Sequence, residues 1–116
     1  MTQEFRTVID SKLVKDALHF EQQTIAADDV TPDVSSGNVF VTSANTGATA
    51  ITDLDSPKVG QLVVIIGGSD TNSSTIADSG NFALSAAFTA QADNVLGLYV
   101  QADNDYVELF RSTNHA

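Results

Sequence analysis

The chain has 116 residues, no cysteine, no tryptophan, and 15 acidic against 5 basic side chains, for a formal net charge of −10. That length suits one domain with one modest core. The missing cysteines exclude disulfides, thiolate nucleophiles and zinc-thiolate sites, and the charge opposes nucleic acid and anionic membranes as partners.

In chain order, the first twenty residues are charge-balanced, with Arg6, Lys12 and Lys15 against Glu4, Asp10 and Asp16. Phe5, Val8, Ile9, Leu13, Val14, Ala17, Leu18 and Phe20 recur mostly at intervals of three, four and one, which suits one face of a helix. The same segment also reads as an extended arm that orders on a partner, because short isolated helices are marginal in water. Residues 1–22 are therefore expected to form an N-terminal arm, helical or extended. Residues 23–37 turn polar and acidic, the composition of a linker. Beyond residue 20 the chain carries Lys58 and Arg111 against 12 acids, so all ten net negative charges lie there.

From residue 38 to 116 short β-type runs alternate with Gly, Asn, Asp and Ser clusters, the texture of a sandwich or small barrel. Seven strands are predicted, over residues 38–43, 48–53, 61–66, 74–77, 81–85, 95–101 and 106–111. The fold class expected is all-β: a single β-sandwich or small jelly-roll-like barrel behind the arm. Leu62–Ile66 is continuously apolar, so both faces of that strand should be covered, as in a central strand or one at a subunit interface. Gly67 and Gly68 then supply a turn that tolerates positive φ. The near repeat Gln91-Ala92-Asp93-Asn94 and Gln101-Ala102-Asp103-Asn104 predicts two turns that enter the last two strands, which pair as a hairpin. Strict alternation in the final strand places Tyr106, Glu108 and Phe110 on one face, Val107 and Leu109 on the other.

Chemistry is sparse. His19 and His115 stand at opposite ends of the chain, and no histidine lies in the β body to complete a Ser-His-Asp arrangement. The acid pairs Asp28/Asp29, Asp53/Asp55 and Asp103/Asp105 could serve as general acid and base or bind calcium, yet none completes a calcium loop, and turn chemistry accounts for them. Gly67-Gly68-Ser69 lacks the lysine and the following helix of a phosphate loop. The expectation is a chain without catalytic, metal or cofactor residues, and not an enzyme. The longest apolar run is far short of the roughly 20 residues that cross a bilayer, so a soluble protein without a targeting signal is expected.

Five pieces carry a resemblance over residues 48–112. In order they are Ala50-Ile51-Thr52-Asp53, Gly60-Gln61-Leu62-Val63-Val64-Ile65-Ile66-Gly67, Ser74-Thr75-Ile76-Ala77-Asp78, Asn81-Phe82-Ala83-Leu84 and Tyr106-Val107-Glu108-Leu109-Phe110-Arg111-Ser112. Together they resemble a β-structured module of tailed-bacteriophage virion proteins, found in head-decoration, fibre and tail-appendage chains. Tyr106 departs from that pattern, where tryptophan is expected, and no long fibre shaft is present. The resemblance implies a capsid decoration (cement) protein on the virion surface, made in the host cytoplasm. Its partners would be the major capsid protein and further copies of itself, as a symmetric oligomer, a trimer by the resemblance, with neither nucleic acid nor membrane involved. The arm residues Phe5, Val8, Ile9 and Leu13 are the expected capsid anchors, and Leu62, Val64, Ile66, Tyr106 and Phe110 the expected oligomer seam. The alternative is a receptor- or glycan-binding head of a tail fibre or spike, with the Asp- and Asn-rich turns as its site.

Overall fold

The computed structural model describes residues 19–113. These contain eight strands and no helix: β1 (Gln22–Thr24), β2 (Val39–Val41), β3 (Leu62–Ile66), β4 (Thr75–Ile76), β5 (Phe82–Ala83), β6 (Phe88–Thr89), β7 (Val95–Ala102) and β8 (Asp105–Ser112). Six form one mixed sheet in the order β1-β2-β3-β7-β8-β5, and β4 pairs with β6 in a small second sheet. The fold is all-β and sandwich-like, as the run lengths and turn spacing predict.

Side chains on one face of a strand share a two-residue period, and the burial follows it. Phe40, Val63, Ile65, Leu96, Leu98 and Val100 point inward from the large sheet, while Ile76 and Phe88 come from the small one. Ile51 and Leu54 join the same cluster from connecting segments. At roughly 25 cal/mol per Å² of apolar surface, each fully buried large side chain contributes about 1.5–3 kcal/mol, so this one core carries the fold.

Three expectations need correction. Residues 23–37 do not run as a linker: β1 pairs in parallel with β2, and Ile25 and Val34 are buried in the core. The alternation of acids, serines and apolar residues there reflects tight loops around two apolar pegs. Residues 48–53 form an irregular segment rather than a strand, tied to β4 by the isolated bridge between Ala50 and Thr75. Gly67 and Gly68 are not among the glycines with positive φ, which are Gly60 and Gly80. They are needed for close approach instead, since a Cβ on Gly67 would collide with the Gln91 carbonyl oxygen and one on Gly68 with that of Thr42.

The expected hairpin forms from β7 and β8. Its turn puts Asn104 at φ 67°, and the matching turn before β7 puts Asp93 at φ 67°; Asn and Asp tolerate this left-handed region better than other side chains with a Cβ.

Candidate interaction surface

Polar constellations come first, because they are where chemistry would reside. Tyr106 is completely buried, and its hydroxyl donates to Asp53 Oδ1 at 2.7 Å, with the Leu54 carbonyl 3.3 Å away. The Asn104 backbone N–H donates to the same hydroxyl at 3.3 Å. With its amide turned toward the carboxylate, Asn104 also donates to Asp53 Oδ2 at 3.0 Å. Burial, and then the bond to Asp53, push the Tyr106 hydroxyl up to about 12. The Phe82 ring lies 5.1 Å from that of Tyr106 at 55°, a tilted pairing that suits the quadrupoles of both rings.

Glu108 and Arg111 make a second constellation. Arg111 Nε donates to Glu108 Oε2 at 2.8 Å and Nη2 to Oε1 at 2.9 Å, a bidentate pair. Glu108 Oε1 also accepts from the Ser85 N–H at 2.8 Å, and Arg111 Nη2 donates to the Ala86 carbonyl at 2.7 Å. The Arg111 bond, with help from Ser85, holds the Glu108 carboxyl down at about 2. The pair clamps the loop between β5 and β6, and the guanidinium lies 5.7 Å over the Phe88 ring.

Several other carboxylates cap turns, among them the Asp28/Asp29 pair considered from sequence. Asp28 accepts from the Thr46 N–H and hydroxyl, Asp29 from the Thr31 N–H, and Asp78 from the Leu84 N–H. Asp33 accepts from the Ser35 N–H, a bond that lowers its pKa. Among the described residues no group of three or more His, Cys, Asp or Glu is arranged to hold a metal. A shallow groove of about 240 Å³ between Ile51, Thr52, Ala77 and Phe82 has no charged side chain in its lining.

The outer face of the large sheet is the more distinctive feature. Val39 and Val41 flank buried Phe40 and point outward; Leu62, Val64 and Ile66 do the same around Val63 and Ile65. The register aligns these residues with β7 and β8 in three rows: Val39, Val64, Gly97 and Phe110; Val41, Ile66, Val95 and Ser112; Leu62, Tyr99 and Val107. Tyr99 is 41% exposed, Phe110 47% and the neighbouring Leu109 56%. No position in the three rows carries a charge.

A register shift in β8 brings Phe110 onto this face. Leu98 pairs with Glu108 but Gly97 pairs with Phe110, so Leu109 is the extra residue of a bulge. The bulge reverses the alternation: Tyr106, Glu108 and Arg111 lie on the inner side, Val107 and Phe110 on the outer. The Phe110 ring then rests against Gly97, where any Cβ would strike it.

Of the seam residues expected from sequence, Leu62, Val64, Ile66 and Phe110 share this outer face. Tyr106 does not; with no accessible surface it belongs to the chain's own core, because the bulge separates it from Phe110. Val39, Val41, Tyr99 and Val107 escaped the sequence reading, since only strand order places them beside Val64. The arm residues Phe5, Val8, Ile9 and Leu13 lie outside the described residues.

Comparison with known protein families, with curated proteins and with solved structures finds no match to the chain.

Proposed function

We propose that this chain is a non-enzymatic bacteriophage virion protein, a capsid decoration protein that binds the capsid surface as a symmetric homo-oligomer. The observation that carries the reading is the way the five pieces of the resemblance pack into one unit. Tyr106 of the last piece bonds Asp53 of the first, and its backbone N–H donates to the Asn81 carbonyl at 2.8 Å. Asn81 Nδ2 in turn reaches the Thr52 carbonyl at 3.2 Å. The Ile51 N–H donates to the Thr75 carbonyl at 2.8 Å, which ties the third piece to the first, and Val63 and Ile65 of the second piece share the core cluster with Ile51, Ile76, Phe82 and Tyr106. These bonds tie the pieces to one another, the use expected of a rigid display scaffold.

In this reading the acidic body stays in solvent and the charge-balanced arm engages the major capsid protein through Phe5, Val8, Ile9 and Leu13. Several arms on one oligomer multiply a weak contact by avidity. The test is co-sedimentation of the purified chain with capsids that lack it. Full-length protein should pellet with the shells, and a variant without residues 1–20 should stay folded and remain in the supernatant. Pelleting of the truncated variant to the same extent would sink the reading.

A further inference from the structure

We draw no further inference here: the strongest candidate, the apolar outer face of the six-stranded sheet around Val39, Val64, Tyr99 and Phe110, is lined mostly by partly exposed residues, and nothing in the structure shows what covers it.

Discussion

Tyr106 illustrates how one side chain can close a small core and anchor a turn at once. Its ring is fully buried against Phe82 and its hydroxyl reaches Asp53, so a tyrosine serves where only its polar tip needs a partner. Tyr106→Phe keeps the ring and removes the bond, and should cost about 1–2 kcal/mol in urea unfolding. Because the folded-state hydroxyl is raised from 10.0 to about 12, its contribution is fully present below pH 10 and is lost as pH climbs toward 12. Tyr106→Phe should therefore flatten the alkaline limb of a stability titration across that window. Glu108 acts at the opposite limb: its carboxyl falls from 4.5 to about 2, so its stabilisation holds above pH 4.5 and disappears as pH falls through 2. Glu108→Gln should remove roughly 1 kcal/mol at neutral pH, a modest figure because the pair is partly solvated. Thermal melts of both proteins at pH 7 and pH 2 should converge at the acid end.

At the scale of elements, the turns were more legible than the strand faces. The Ala-Asp-Asn repeat announced two turns because Asn and Asp side chains suit left-handed geometry, and Asn104 adopts it. Asn104→Ala should lose about 1 kcal/mol more than Asn104→Gly, measured by chemical unfolding, since both lose the amide contact with Asp53 but only alanine meets the steric penalty. The face of β8, by contrast, could not be read past Glu108. A bulge inserts one residue without any local signature here, and a shift of one residue sends every later side chain to the other face. Gly67 carries the same lesson: its reason is the carbonyl of Gln91, 24 positions away in the chain and adjacent only in the fold. Gly67→Ala should cost at least about 3 kcal/mol or prevent folding, because backbone rather than a movable side chain must yield.

For the whole molecule, charge and topology act together. A net charge of −10 concentrated beyond residue 20 destabilises the compact state by self-repulsion. Raising salt from about 0.02 to about 0.3 M should lift the Tm by about 2–5 °C in calorimetry, an effect of screening. An unchanged or lowered Tm would show that the acids are already neutralised by local pairing. Composition, run lengths and turn residues by themselves determined an all-β chain with an acidic body, because they report local backbone preference and solvation. The apolar strand Leu62–Ile66, which no polar position interrupts, was legible as a central strand or one at a subunit interface, and β3 lies inside the six-stranded sheet. The tertiary structure alone decided that β1 joins β2, that residues 23–37 enter the core, and that Val39, Val64, Gly97 and Phe110 form one row. Those relations depend on strand order and register across long loops, and pairing between distant segments leaves no periodicity in the chain itself.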